Sequence, residues 1–276
     1  MSFQKATKKN ARLRLSLQGP AGAGKTYSAL QIAQQFGSKI AVMDSERGSA
    51  SLYADIFDFD VCELEEKNVQ EYLERIRDAA EAGYEVLVID SYSHSWVGAL
   101  ETIDKMGGWV KGGKVVSPLV AKLVDAVLSY PGHVIATMRS KTEYAIEQND
   151  RGKATMRKLG MAPVVRDGTE YEFGVVLDLA VDGTVSVSKS RCRAVPVGYV
   201  FSREEIPKIA TALKAWLSDG AEATLVDALK ERLRFATTRE QLAALVPEIG
   251  KCSAEEKLAL RAPYLAKKRE IEGVGE

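Results

Sequence analysis

Eight consecutive residues, Gly19-Pro20-Ala21-Gly22-Ala23-Gly24-Lys25-Thr26, carry the clearest chemistry in this chain. They fit the phosphate-binding pattern G-x-x-x-x-G-K-[ST], with Gly19, Gly24, Lys25 and Thr26 in register. Glycines let backbone N–H groups turn inward around a polyanion with no Cβ in the way. A helix beginning at the end of the loop adds the positive end of its dipole. Lys25 then reaches the β- and γ-phosphates of a nucleotide, and Thr26 can ligate Mg²⁺. Tyr27, next in line, is counted with the nucleotide contacts.

Two further segments end in acid. Tyr84-Glu-Val-Leu-Val-Ile-Asp90-Ser91 is a hydrophobic run closed by a carboxylate, and an Asp in that place holds the Mg²⁺ of a bound nucleotide. Ala41-Val-Met-Asp44-Ser45-Glu46 is the second. In an open parallel sheet, ligands sit at the carboxyl ends of the strands. A carboxylate there can orient and deprotonate an attacking water. Spacing alone leaves Glu46, Asp44 and a solvated turn capped by Asp44 all open.

The elements that must position these groups alternate between apolar runs and helical patterns, which predicts an α/β fold with a mostly parallel sheet. Strands are expected at Arg12–Leu17, Lys39–Met43, Phe57–Val61, Glu85–Ile89 and Val134–Thr137, and helices at Thr26–Phe36, Val69–Ala82 and Pro118–Ser129. Gly174–Val181 and Thr184–Lys189 read as two strands joined at Asp182-Gly183, a hairpin signal that adds an antiparallel extension. Arg139–Gly168 between them reads as a long, polar, irregular loop, a type more often functional than structural. From Ser202 the pattern is helical, with capping boxes at Ser202-Arg-Glu-Glu205 and Ser253-Ala-Glu-Glu256. The turn Ser218-Asp-Gly220 separates a core of residues 1–218 from a helical appendage of residues 219–276.

The bulk numbers exclude some classes. The chain has 276 residues, and its 38 basic and 38 acidic residues cancel, so any nucleic-acid surface must be local. Cys62, Cys192 and Cys252 are far apart, which suits a reducing cytosol and offers no zinc site. His94 and His133 are too few for a histidine metal cluster. No apolar stretch approaches the roughly 18–20 residues of a membrane span, and no apolar segment follows the basic N-terminus as in a signal peptide. A cytoplasmic protein without membrane partners is expected.

The motifs, in this order, resemble the RecA-like ATPases, which implies ATP and Mg²⁺ as cofactors and a RecA-like P-loop NTPase core. Ala41–Glu46 is similar to the RecA segment that supplies the catalytic glutamate, which places that role on Glu46. Val88-Ile-Asp90-Ser91 resembles the RecA metal-holding strand end. Val187-Ser-Lys189-Ser-Arg191 resembles the RecA Lys-x-Lys, whose two cations reach the γ-phosphate of the neighbouring subunit. Arg191 at the second position keeps the charge and changes the geometry. A closer resemblance is to phage-encoded nucleotide-binding proteins of the AAA_24 type, which include single-strand annealing ATPases of phage recombination systems. It is carried by Thr137-Met-Arg-Ser-Lys-Thr-Glu-Tyr144, Gly160-Met-Ala-Pro163, Arg166-Asp-Gly-Thr-Glu-Tyr-Glu-Phe173 and Val187-Ser-Lys-Ser-Arg-Cys192. It spans roughly residues 10–217 and leaves the tail from Ala221 uncovered. It implies self-association in a ring or filament, single-stranded DNA as a ligand, a single-strand DNA-binding protein as a candidate partner, and the cytoplasm of a bacterial host.

Two segments are candidates for the DNA contact, and both fall where RecA has its DNA-binding loops. Met106–Lys114 combines four glycines with Trp109, Lys111 and Lys114, an aromatic platform beside positive charge. Arg139–Arg166 holds seven basic residues (Arg139, Lys141, Arg151, Lys153, Arg157, Lys158, Arg166) against three acidic ones (Glu143, Glu147, Asp150), a local excess of four charges. A basic lid over a nucleotide would have the same composition, and a lid belongs to the rival reading of a small-metabolite kinase. A second rival is an ATP-gated adaptor that binds a replication or repair protein through residues 221–276. The basic residues Lys5, Lys8, Lys9, Arg12 and Arg14 read as a solvated arm.

Overall fold

Continuous apolar runs mark the strands that lie inside. Strand β1 (Arg14–Gly19) is buried at every residue but its first, and β2 (Ile40–Asp44) and β4 (Val86–Asp90) are buried throughout. Such strands are covered on both faces and therefore cannot alternate. Strand β3 (Asp60–Glu63), by contrast, is short and exposed along its length, as suits an edge. The computed structural model describes residues 8, 10–148, 154–220, 225–236 and 238–273. Its nine-stranded sheet also contains β5 (His133–Gln148), β7 (Val175–Leu179), β8 (Thr184–Ser190) and β9 (Val200–Ser202), in the order β3-β2-β4-β5-β1-β7-β8-β9. Strand β6 (Ala154–Pro163) pairs only with β5. Pairing is parallel from β3 through to β7, and antiparallel at β8 and β9. The chain is thus the expected α/β P-loop NTPase core with an antiparallel extension.

Helices α1 (Lys25–Phe36), α2 (Val69–Glu81), α3 (Ser93–Lys105), α4 (Gly112–Ser129) and α5 (Ile206–Ser218) complete this part. Asn68 caps α2 by accepting from the Glu71 amide, while the Glu71 carboxylate accepts the amides of Glu65, Glu66 and Lys67. Helix α3 has no counterpart among the expected elements. Its inward residues include Ser93, Ser95, Gly98 and Ala99, so it buries a small-residue face rather than an apolar stripe. The approach is close: a Cβ on Gly98 would stand 2.4 Å from the Lys67 carbonyl oxygen.

Other expectations are corrected. The Arg139–Gly168 segment is not an irregular loop. Strand β5 runs on to Gln148 and pairs antiparallel with β6 from Ser140↔Pro163 to Gln148↔Ala154, with a bulge at Glu143/Tyr144. The polar sequence of this segment hid the hairpin, whose strands pair through the backbone. Helix α4 begins at Gly112, so Lys114 lies in a helical first turn rather than in a loop. Gly112 is needed there, because a Cβ would come 2.7 Å from the Ile103 backbone. Arg14 is no part of a solvated arm. It donates to the carbonyls of Leu128, Gly132 and Tyr130, neutralising the negative end of α4.

The chain divides into two units, Leu13–Trp216 and a second that joins the residues before Leu13 to Leu217–Glu276. The sequence reading placed all of residues 1–218 in the core. The second unit holds α6 (Leu225–Phe235), α7 (Arg239–Gly250) and α8 (Ala254–Glu272). Val226, Leu229, Leu233, Leu242, Leu245, Cys252 and Leu260 form its core. Capping boxes start α7 at Thr238/Gln241 and α8 at Ser253/Glu256, and Ser202/Glu205 forms another before α5.

Candidate nucleotide site

The phosphate loop connects β1 to α1. Gly22 and Gly24 take φ of 80° and 81°, a backbone that L side chains rarely adopt. No side chain caps α1 and no acid sits in its first turn, so its N-terminal amides remain available to an anion. The loop borders a cavity of about 220 Å³ lined by Ala21, Gly22, Gly24, Lys25, Thr26, Glu46, Tyr53, Asp90 and Arg139.

Asp90 closes the inner end. It is buried and accepts from Thr26 Oγ1 at 2.6 Å and from Thr137 Oγ1 at 2.5 Å. Burial raises its pKa, and the two hydroxyls oppose the shift. Lys25 Nζ donates to the Pro20 carbonyl at 2.8 Å, and burial lowers its pKa against the pull of Asp90 and Glu46. A hydroxyl and a single carboxylate side by side, next to a phosphate cradle, suit Mg²⁺, which takes few protein ligands and keeps phosphate and water oxygens. The residues present therefore fit Mg-nucleotide, with Thr26 and Asp90 as the metal's protein donors. Among the described residues no cluster of three or more His, Cys, Asp or Glu offers another metal site.

At the outer end, β2 delivers two acids with different fates. Asp44 is buried, and its carboxylate accepts the amides of Glu46 at 2.5 Å and Ala50 at 2.9 Å. It holds the turn and does not line the cavity. Glu46 does line it, and its Oε1 takes Nε and an Nη of Arg139 at 3.1 and 2.8 Å. Arg139 was expected in a DNA loop; the structure places it in this cavity. The cause is topological. Strand β5 lies between β1 and β4, so the residue paired with Gly19 falls between the phosphate loop and Asp90.

The remaining expected residues fall as follows. Gly19, Pro20 and Ala23 form the loop without lining the cavity. Tyr27 turns its ring edge-on to Tyr53 and Phe57. Lys189 pairs with Val176, which pairs with Ser16, so it sits about three residues, roughly 10 Å along the strand direction, before the end of β1. Its Nζ donates to the Tyr171 carbonyl, and Arg191 follows it, exposed. Neither lines the cavity of its own chain. Trp109 is 57% exposed, next to Val110 at 81%. It contacts Trp96 at 6.4 Å between ring centroids, and Lys111 and Lys114 are exposed beside it. Lys141 is exposed at the foot of the β5–β6 hairpin. Arg157 and Lys158 pair through the backbone with Ala145 and Tyr144, and Arg151 and Lys153 lie outside the described residues.

Sequence reasoning missed Thr137, Tyr53 and Arg203. Arg203 donates to the Ala23 carbonyl at 3.0 Å, bracing the loop from outside at Gly24. It also missed a buried network in which Ser45 Oγ meets His94 Nδ1 at 2.7 Å and receives the Ser91 amide at 2.8 Å. Burial lowers the His94 pKa, as does Arg139 nearby. No helix among the described residues is long and apolar enough to cross a membrane.

A search of curated proteins gave no match. A family model described as an AAA domain, AAA_24, matches residues 11–207. That stretch contains the phosphate loop, both acidic strand ends, the β5–β6 hairpin and β8, and the chain belongs to the AAA_24 family of P-loop AAA-domain proteins.

Proposed function

We propose that this protein hydrolyses ATP in a head-to-tail oligomer bound to single-stranded DNA, in phage-type recombination or strand annealing. The observation that carries the ATPase part is the convergence of Lys25, Thr26, Asp90, Glu46 and Arg139 on one cavity. Mg²⁺, when bound, would be held by Thr26 and Asp90 and would supply neutralisation of the charge that develops on the phosphate oxygens. The loop amides and Lys25 hold the β- and γ-phosphates, and Asp90 fixes Thr26. Glu46 accepts the proton of the water that attacks the γ-phosphorus as the bond to the ADP oxygen breaks. Arg139, paired with Glu46 in the cavity, is placed to exchange its carboxylate partner for a γ-phosphate oxygen. Lys189 and Arg191, away from their own cavity, are available to a neighbour's, and a head-to-tail interface generates rings or filaments.

The DNA part rests on the exposed Trp109–Lys111–Lys114 surface and on the basic β5–β6 hairpin. An aromatic face with adjacent cations takes single strands without sequence preference. The test is ATP turnover with and without single-stranded DNA, with particle mass measured in parallel, and oligonucleotide anisotropy across a salt series. Stimulated turnover, growth in mass and affinity that falls steeply with salt are expected. Trp109→Ala should weaken binding by about 1–3 kcal/mol. Turnover indifferent to DNA, with no binding at low salt in either nucleotide state, overturns the recombination reading and leaves the nucleotide site standing.

A further inference from the structure

Among its described residues, the C-terminal helical unit leaves an apolar groove open. This groove, between α7 and α8, has a volume of about 460 Å³ and is lined by Val246, Ile249, Ala254, Leu258 and Tyr264 over Leu260, with Lys257 and Arg261 on its wall. The size lies in the range of pockets that take ligand groups. Val246 is 48% and Leu258 68% exposed, on helices that send Leu242, Leu245 and Leu260 into the core. On α8 the residues at 254, 257, 258, 261 and 264 recur at three- and four-residue steps, so they share one face. Its apolar members Ala254 and Leu258 continue the groove from Val246 and Ile249, with Lys257 and Arg261 interleaved.

Charge selects what can cover it. Among the described residues, neither Lys257 nor Arg261 has a hydrogen-bonded or ion-pair partner for its side chain. Among the described residues of this unit, two carboxylates are committed elsewhere: Glu248 to Arg232 at 2.7 Å, and Glu256 to the amide of Ser253 at 2.8 Å in the capping box. An apolar trough with two unpaired cations on its wall favours a ligand with apolar anchors and acidic flanks, the helix-in-groove mode. A membrane surface would ask for a broad basic face, and a nucleic acid strand for a series of stacking rings along the cations; the groove offers two cations and one ring, Tyr264.

We propose that the α7–α8 groove docks a short acidic, amphipathic segment of a partner protein, seated by apolar side chains against Val246, Ile249 and Leu258 and by carboxylates on Lys257 and Arg261. This role is separate from the nucleotide site and stands whether or not ATP is hydrolysed.

The full-length protein, immobilised, would be panned against a displayed library of random short peptides. The enriched peptides would then be synthesised and titrated by anisotropy. Expected are sequences with spaced large apolar residues and net negative charge. Binding should be lost with Leu258→Asp and fall roughly tenfold with Lys257→Glu plus Arg261→Glu, the double charge reversal also flattening the salt dependence. Lys257→Ala plus Arg261→Ala, which leaves the apolar trough intact, should give an intermediate loss. Helicity by circular dichroism and unchanged ATP binding show that each variant is folded. Three outcomes overturn the proposal: no enrichment, enriched peptides without acidic bias, or binding indifferent to both the Leu258 and the cation variants. A drop in particle mass on Leu258→Asp would assign the groove to a second copy of this chain and likewise overturn it.

Discussion

The two ends of the nucleotide cavity are built on different principles. At the inner end Asp90 is 2% exposed and held by two hydroxyls, one from the phosphate loop and one from the neighbouring strand. At the outer end Glu46 keeps a 29% exposed side chain whose carboxylate is held by a single half-exposed cation, Arg139. A buried, doubly bonded carboxylate is a fixture of the fold. A partly exposed ion pair is worth only about 0–1 kcal/mol, so an incoming phosphate can displace the carboxylate from Arg139 at little expense. The inner end is fixed by the fold; the outer end can change partners at little cost.

The contrast breaks most visibly through Glu46. Glu46→Gln should keep nucleotide binding and lose about 10²–10⁴-fold in turnover, the worth of a general base. Single-turnover hydrolysis checks it. If Asp44→Asn were crippled by loss of chemistry while remaining folded, and Glu46→Gln were not, the base would be misassigned. Lys25→Ala comes next, with a loss of about 10²–10³-fold in turnover from the missing phosphate contact. Steady-state hydrolysis equal to that of the unaltered protein would remove the phosphate loop from the mechanism.

Arg139→Ala sharpens the account of the outer end. If Arg139 trades Glu46 for the γ-phosphate, ATP should bind roughly tenfold more weakly while ADP affinity holds. Equal losses for both nucleotides, measured by calorimetry, would make Arg139 a structural clamp. The inner end has its own signature in stability. The folded-state pKa of Asp90 is raised by burial. Its contribution is therefore fully present below the unfolded value of about 4 and is lost as pH rises through the folded value. Nucleotide-free Asp90→Asn should therefore unfold at higher temperature than the parent at neutral pH, by about 2–4 °C per kcal/mol recovered. It should also lose the pH slope assigned to Asp90. A midpoint lower than the parent's across the pH range would show that the two hydroxyl bonds outweigh the desolvation.

How much of this was legible follows from distance along the chain. The phosphate loop and the Asp90 strand end are local patterns, so their residue types announce themselves. So do the capping boxes at Ser202 and Ser253, since each is a bargain struck within four residues. Arg139 was legible only as a cation in a basic segment. Its place in the cavity depends on β5 entering the sheet between β1 and β4, which no local pattern encodes. Thr137 was hidden for the same reason. Helix α3 escaped because a face of Ser, Gly and Ala has no hydrophobic period, although tight packing against Lys67 is what that face is for. Arg14 looked like surface charge because the carbonyls it binds lie more than a hundred residues away.

The reversal of β8 has a consequence for growth. Because β8 runs against β7, Lys189 and Arg191 lie toward the start of the parallel strands, whereas the phosphate loop follows the end of β1. If those two residues serve the next subunit, every junction pairs unlike faces. An open polymer of this kind has a direction: one terminus carries a nucleotide that no neighbour completes, the other two cations with nothing to complete. A subunit lacking Lys189 and Arg191 could still accept a neighbour's cations at its own nucleotide but would offer none in return. It should therefore poison extension at one terminus only, and do so at a small fraction of the total protein. A closed ring has no terminus, and there the same subunit would silence one junction for each copy it contributes. Mixing the two proteins and following length or mass against the altered fraction would tell a filament from a ring without an image of either.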